Sequence, residues 1–487
     1  METSFRDVPA HPWSKKEMEA FTDFIEESLE ACKVPGAAVA MVNREGTILY
    51  QQTFGVKSLQ TQEPVSIDTP FMIGSTTKAL TSLLIALLVD KKYLQWDTPL
   101  TDLLPEFCTG SEALTKSVTI QASASAATGM PRRDFDFIFR YKGISAEDRL
   151  QEMCTMCPTT EENETFQYSN YLYMAGGYAA ARSYEATGSL RQAYINAMKN
   201  LVLSPLSMTH TIFSLQEAVD LGCAKPHSWT ETGAMVEVPL EVEECVESVL
   251  PAGGAWSTIT DMTRYITMEL KEGQIEDSPY ISVENLMQRR TPSARIANKM
   301  YYGLGLMVQD EQGIEIVQHG GNTMGFSSDM FFLPKSGLGM VILTNRRAGS
   351  GFSASIRQKF LELTFSMPST ATKMRGSFVG AYQQMIHMLW EKVSFKPKDL
   401  TSIHTLVGSY KSEALGTMEI RESSLGHFQA ITKDWTLTIG LEIKEENVHF
   451  LVLKESPSDG TFRFLVQSDG SLMLDGGQTN YIFIREL

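Results

Sequence analysis

Ser75 and Lys78 stand three residues apart in the stretch Phe71-Met-Ile-Gly-Ser-Thr-Thr-Lys78, which runs straight into the apolar run Ala79 to Val89. On a helix, residues three apart share one face and their side chains meet. A serine hydroxyl is a poor nucleophile until a neighbouring base takes its proton. A lysine serves as that base only when burial or nearby positive charge lowers its pKa from about 10.4 towards 7–8. The apolar helix that follows supplies the dry wall such a shift needs. Two further clusters carry polar groups suited to the same chemistry. Tyr168-Ser-Asn170 holds a phenol and an amide two residues apart. His319-Gly-Gly-Asn322 holds an imidazole followed by two residues without side chains. Taken alone, Tyr168 reads as a half-buried aromatic, His319 as a loop histidine and the glycine pair as a turn.

The elements that position these groups are legible in outline. Ser14-Lys-Lys-Glu17 is a capping-box pattern that opens a helix with Met18, Phe21, Ile25 and Leu29 on its apolar face, closed by Pro35 and Gly36. Ala37 to Val42 and Thr47 to Phe54 read as an antiparallel hairpin. The Ser75 helix ends near Lys91 and Lys92. Residues 100–250 read as helices and long loops, with an apolar stretch from Tyr171 to Ala181. Pro251 to Thr258 reads as a turn leading into a helix.

Beyond residue 300 the pattern returns to strands: Tyr302 to Val308 paired with Ile314 to Gln318, then Phe326 to Leu333 and Gly339 to Leu343. His319 to Gly325 reads as a glycine-rich connection, and a helix from Phe352 to Phe365 closes the unit. Strands at both ends and helices between them predict an α/β (α+β) sandwich whose antiparallel sheet is assembled from both chain ends. Met367 to Thr372 reads as a polar linker and Phe378 to Trp390 as a connecting helix. After Lys396 short strands recur about every ten residues, around turn signals at Glu445-Glu-Asn447, Ser456 to Gly460, Ser468 to Gly470 and Asp475 to Gly477. That spacing predicts a small antiparallel β domain. The expected organisation is residues 1–370 as one domain, 371–400 as linker and connecting helix, and 401–487 as the β domain.

Three ordered motifs, Ser75-Thr-Thr-Lys78, Tyr168-Ser-Asn170 and His319-Gly-Gly321, resemble those of the serine β-lactamase and penicillin-binding protein superfamily. More narrowly they resemble its class C β-lactamase-related esterases and acyltransferases, over about residues 15–365. Thr69-Pro-Phe71, Leu94-Gln-Trp-Asp97, Pro205 to Met208, Pro251 to Gly254 and Tyr302-Gly-Leu-Gly305 flank the motifs as similar segments do in that family. The tail, opening at Val407-Gly-Ser-Tyr410, resembles the lipocalin-like domain of some relatives. The resemblance implies that Ser75 attacks a carbonyl to form an acyl-enzyme, with Lys78 and Tyr168 sharing the proton work. It assigns Asn170 to substrate and lysine. It places the Ser75 and Asn322 amides in an oxyanion hole, with Gly320 and Gly321 allowing close approach. Which of Lys78 and Tyr168 is the base stays open.

His319 stands where β-lactamases carry a lysine. A neutral imidazole binds a substrate carboxylate poorly, which favours uncharged esters over β-lactams. Ala126-Ala-Thr-Gly129 replaces the family's usual His-Thr-Ser-Gly and is expected in a supporting role. The implied activity is hydrolysis of an ester or thioester of a small, largely apolar metabolite, free or carrier-bound, without metal or cofactor. Transfer of the acyl group to an alcohol or amine in secondary metabolism is the alternative, and an inert scaffold that keeps the fold is a third reading.

With 487 residues, 43% hydrophobic and 21% charged, the chain has room for two or three domains. A net charge of −16 argues against nucleic acid or an anionic membrane as partner. No basic-then-apolar leader is visible at the N-terminus, and Leu83 to Val89 is too short to span a bilayer. The six cysteines read as reduced thiols, Cys154-Thr-Met-Cys157 included, which points to a cytoplasmic protein. The oligomeric state stays open.

Overall fold

The computed structural model describes residues 4–230, 232–347, 351–396, 400–424, 426–445, 448–454 and 462–486. Helix α1 (Lys15–Cys32) begins at Ser14 with the expected capping box, Ser14 and Glu17 exchanging backbone and side-chain bonds. The hairpin β1 (Gly36–Asn43) and β2 (Ile48–Gly55) follows it. Helix α2 (Thr77–Asp90) is buried around nearly its whole circumference, as an apolar helix without a polar face must be. Next come α3 (Asp134–Phe139), α4 (Asn170–Tyr184) and α5 (Ile259–Leu270).

The chain then returns to the sheet as β3 (Ala294–Ala297), β4 (Met300–Tyr302), β5 (Met307–Glu311), β6 (Ile314–Asn322), β7 (Ser327–Leu333) and β8 (Leu338–Thr344). The sheet order is β2-β1-β8-β7-β6-β5-β4-β3, so the first hairpin docks on the last strand and both ends of the domain build one sheet. Alternation along its strands separates two cores. Val39, Met41, Phe331 and Ile342 face α1 and α6 (Phe352–Phe365). Ala38, Ala40, Met330, Phe332 and Val341 face the helical layer that holds α2, α4 and α5. Because β side chains alternate with period two, one strand serves both layers.

Two expectations change here. Tyr302 to Val308 is not one strand: the chain turns between β4 and β5, with Gly303 donating to the Leu306 carbonyl at 2.7 Å. His319 to Asn322 is not a connection but the end of β6, with His319 opposite Met330 and Gly321 opposite Ser328. Glycine-rich composition mimics a turn, but the neighbouring strand supplies the ladder partners that keep this segment extended.

Helix α7 (Ala371–Trp390) starts inside the stretch read as a linker and runs on through the expected connecting helix. The eight strands β9 (Gly408–Ser412), β10 (Gly416–Glu422), β11 (Phe428–Ile431), β12 (Thr436–Glu445), β13 (Val448–Lys454), β14 (Arg463–Val466), β15 (Leu472–Asp475) and β16 (Asn480–Arg485) pair in chain order. Pairing of β9 with β16 closes them into an antiparallel barrel. The turn signals at Ser468 to Gly470 and Asp475 to Gly477 fall between strands. Glu446, Asn447 and the Ser456 to Gly460 signal lie outside the described residues.

The barrel grips the segment around α3. Phe135 and Phe139 pack on Phe462, and Phe139 also on Phe464 and Phe483. Asp434 accepts from the Tyr141 and Lys142 amides at 3.0 and 3.1 Å, and Gln478 accepts from the Arg132 amide at 2.6 Å.

The cysteines correct a further expectation. Cys108 and Cys154 form a disulfide with their Cα atoms 4.7 Å apart, while Cys32, Cys157, Cys223 and Cys245 are free. The segment after Met153 lies against the loop before Gly110, whose amide donates to the Met156 carbonyl at 2.9 Å. That apposition pairs Cys154 with a distant partner rather than with Cys157, and spacing within a four-residue motif carries no sign of it. With two of its six cysteines paired, the chain's cysteines do not point to a reducing compartment. No described helix is long and apolar enough to cross a membrane.

Candidate active site

Ser75 sits in a single 3₁₀ turn, Gly74–Thr76, that feeds α2. The turn is held from both sides: Phe71 and Met72 pair with Trp256 and Ser257, and Ile73 donates to the Ala255 carbonyl at 2.9 Å. Gly74 has φ +50°, and a Cβ there would lie 2.7 Å from the Asn322 amide nitrogen, so the nucleophile turn and the end of β6 touch through backbone. Gly321 approaches as closely, since a Cβ on it would fall 1.8 Å from the Ile73 carbonyl oxygen. Gly321→Ala is accordingly expected to lower stability by about 1–3 kcal/mol and to separate Ser75 from Asn322. Thermal melting and serine labelling check it, and an unshifted melting temperature with normal labelling would refute the close packing.

Lys78 is buried at the base of this turn. Its Nζ lies 2.6 Å from Asn170 Oδ1, 2.6 Å from the Ala252 carbonyl and 3.4 Å from Ser75 Oγ. Burial pushes the amine well below the usual lysine range. The Asp134 carboxylate opposes that shift and the Arg132 guanidinium adds to it. A neutral amine has two N–H groups and one lone pair. Asn170 and Ala252 take the two N–H groups, which leaves the lone pair for the serine hydroxyl. The Asn170 amide is oriented by its other end, where Nδ2 donates to Asp134 Oδ1 at 2.9 Å. Asp134 is paired in turn with Arg132 Nε at 2.5 Å.

Tyr168 stands over Lys78, whose Nζ lies 4.6 Å from the ring centroid. Its hydroxyl faces the Ser75 and Tyr302 hydroxyls, yet it is buried without a hydrogen bond of good geometry. Burial raises the phenol, so it stays protonated across the neutral range. An unpaired buried hydroxyl is costly unless a ligand or water completes it, and beside a nucleophile it is a candidate for proton traffic.

His319 has a different place from the one expected. It is 1% exposed and does not line the cavity beside Ser75. Its Nδ1 lies 2.7 Å from the Gly320 carbonyl and its Nε2 3.2 Å from Tyr302 Oη. The carbonyl can only accept, so Nδ1 carries the proton and Nε2 accepts from the tyrosine. Burial, and then the nearby Lys78, hold the imidazole pKa down to about 3. His319 is thus a neutral brace behind Tyr168 rather than a group on the cavity wall.

The cavity, about 610 Å³, opens on Ser75, Asn170 and Asn322. Phe137, Val246, Met324, Tyr382 and Met385 supply much of its apolar lining, the last two from α7. Sequence reasoning missed Tyr302, Tyr173, Arg132, Asp134, the Ala252 carbonyl and the α7 wall. Tyr302 and Ala252 lie inside flanking segments already singled out, so a signal existed for them. Tyr173, one helical turn beyond Ser169, donates to the Lys78 carbonyl at 2.8 Å. Nothing in the order of residues marks Asp134, or marks α7 as a wall of the cavity. Among the described residues no group of three or more His, Cys, Asp or Glu side chains could hold a metal ion.

The family model "Beta-lactamase" matches residues 21–362. The chain is 29% identical over 348 residues to an unguisins hydrolase of Aspergillus campestris, a match covering 69% of this chain and 63% of that one. It is 26% identical to an unguisins hydrolase of Aspergillus violaceofuscus, covering 68% and 61%. Both matches therefore span less than two thirds of the relative's length. Penicillin-binding protein 4 of Amycolatopsis lactamdurans is 26% identical, covering 67% and 85%. The octameric penicillin-binding protein homologue from Pyrococcus abyssi has the same fold, with a TM-score of 0.61 at 19% identity over 96% of this chain and 99% of that one. A family match over residues 21–362, which takes in the sheet and the Ser75–Lys78 pair, identifies the chain as a member of the beta-lactamase family.

Proposed function

We propose that this chain is a serine hydrolase that cleaves an ester or thioester of a small, largely apolar metabolite through an acyl-enzyme on Ser75. The observation that carries the reading is the environment of the Lys78 amine: buried, with two fixed acceptors for its N–H groups and the Ser75 hydroxyl in front of its remaining position. In this mechanism Ser75 Oγ attacks the carbonyl while its proton passes to Lys78 Nζ. The Ser75 and Asn322 amides stabilise the developing oxyanion, an interaction stronger in the transition state than in the ground state. Tyr168, protonated and adjacent to Ser75, gives a proton to the leaving oxygen or sulfur and recovers one from Lys78. Water then attacks the acyl-enzyme with the same amine as base, and the acyl C–Oγ bond breaks as the proton passes from Lys78 to Ser75 Oγ and the acid leaves.

The cavity supports this substrate class. Its apolar lining suits an apolar acyl or leaving group, and its volume suits a small molecule. Arg132 is paired with Asp134, His319 is neutral and off the wall, and Arg347 is a further cation on the lining. The hydrolase names of the Aspergillus relatives support water as the acceptor.

Intact mass after incubation with a fluorophosphonate is expected to show one adduct, on Ser75. A short-chain nitrophenyl ester is expected to be cleaved with kcat/KM about 100-fold above that for nitrocefin, an anionic β-lactam, the upper end of the penalty for leaving one buried group unpaired. Absence of the adduct overturns the acyl-enzyme. Nitrocefin turnover as fast as ester turnover overturns the substrate class. If added alcohol or amine captures most of the acyl group, transfer replaces hydrolysis.

A further inference from the structure

The strand that ends at Asn322 turns sharply through Thr323–Phe326 before it re-enters the sheet as β7. Thr323 closes the turn on itself: its amide donates to the Phe326 carbonyl at 3.0 Å, and its Oγ1 accepts from the Phe326 amide at 3.2 Å. The two amides in the middle of the turn are taken up by one side chain from elsewhere. Glu243, on the 3₁₀ segment Leu240–Val249, accepts from Gly325 through Oε1 at 2.7 Å and from Met324 through Oε2 at 3.4 Å. Its carboxyl is 1% exposed. Burial raises its pKa to about 7, while the Thr323 hydroxyl, the two amides and the Arg347 guanidinium pull the other way. On the far side the turn is tied once more, with His227 donating to the Gly325 carbonyl at 3.3 Å.

Keeping an ionisable group this deep is costly, and no step of the reaction uses it. What it touches is the continuation of the third motif. Asn322 immediately precedes the turn, and Thr323 and Met324 line the cavity with Ser75. A carboxyl is the side chain suited to two adjacent N–H groups, because both of its oxygens accept. An amide in its place would set an NH₂ donor against one of the two N–H donors.

We propose that Glu243 is a positioning residue that clamps the Thr323–Phe326 turn and so holds the Asn322 amide in the oxyanion hole. The proposal rests on the acyl-enzyme reading above. Glu243 never touches substrate; it acts through the turn. Removing an oxyanion donor outright costs about 10²–10³ in kcat, so loosening one costs less.

The test is nitrophenyl-ester kinetics, fluorophosphonate labelling and amide hydrogen exchange on the full chain, with Glu243→Ala, Glu243→Gln and Ser75→Ala in parallel. Glu243→Ala is expected to lower kcat about 10- to 100-fold with KM nearly unchanged, and to slow labelling by the same factor. Exchange at Met324 and Gly325 should accelerate in the same variant. Glu243→Gln should fall between it and wild type, because one of the two bonds survives. A folded Glu243→Ala with kcat within about twofold of wild type overturns the clamp. So does a kcat loss with unchanged exchange at the turn. Should Glu243→Ala fail to fold, Glu243→Gln decides by the same two readouts. Full turnover in Ser75→Ala would instead bring down the acyl-enzyme reading, and the clamp with it, so the two failures are told apart.

Discussion

Ser75→Ala is expected to yield a folded protein that takes no fluorophosphonate and turns over nitrophenyl ester on the order of 10⁶ more slowly than wild type. The size of the effect follows from the proposed acyl-enzyme, which depends on a single nucleophile. Removal of the hydroxyl leaves the oxyanion amides and the cavity in place but no atom to attack with. The fold should not notice. Lys78 keeps its two short bonds to Asn170 and the Ala252 carbonyl and loses only the 3.4 Å one. The turn itself is held by backbone pairing with Trp256 and Ser257, which an alanine leaves intact. Retention of more than about one per cent of wild-type turnover, well above what binding and oxyanion stabilisation alone supply, would mean that another residue is the nucleophile.

The parts of this site legible in the sequence are those set by local spacing. Ser75 and Lys78 meet because they are a helical turn apart, and Asn170 reaches Lys78 because Ser169 caps the helix that Asn170 begins. The two-ended sheet was legible too, since strand patterns at 37–54 and 302–343 flank one helical stretch, and the first hairpin does pair with the last of those strands. What was not legible depends on long-range apposition. His319 was expected to face the substrate because of its place in the motif. Strand alternation and the Tyr302 hydroxyl turn it inward instead. Cys154 found Cys108 rather than Cys157 because two loops cross. Asp134 has no local mark. It matters only because the barrel holds the α3 segment against the domain through Phe462, Gln478 and Asp434.

That last link gives the C-terminal barrel a part in the chemistry at one remove. Gln478 fixes the Arg132 backbone, Arg132 pairs with Asp134, Asp134 orients Asn170, and Asn170 receives one N–H of Lys78. Each bond leaves its donor or acceptor one way to point, so the amide of Asn170 presents oxygen, and not nitrogen, to the lysine. Helix α7, between the two domains, adds Tyr382 and Met385 to the cavity wall. Part of the cavity wall thus comes from a segment that follows the region matched by the family model, residues 21–362.

Lys78 and Tyr168 should lose activity as a unit. The ammonium form of Lys78 has no lone pair for the serine proton, so acylation needs the neutral amine. Burial lowers the pKa of that amine, which extends the neutral form to lower pH than for an ordinary lysine, and the neutral form disappears as pH falls through the depressed value. The acylation rate of the wild type is therefore expected to decline on the acid side. Tyr168, raised by burial, stays protonated over the same range and contributes a proton rather than a charge. Lys78→Met removes the base and is expected to cost about 10³–10⁴ in acylation rate, the scale of a positioned general base with its activated nucleophile. Tyr168→Phe keeps the ring over Nζ and deletes only the hydroxyl, so its loss, about 10²–10³, reports proton transfer and not packing. In the double variant the second loss should nearly vanish, because a phenol without the amine has no source from which to recover its proton. Acylation rates for the two single variants and the double, from pH 6 to 9, measure this directly. Losses that add strictly in log rate would mean that the two groups act independently, and the proton given to the leaving atom would then have to come from solvent at the cavity mouth.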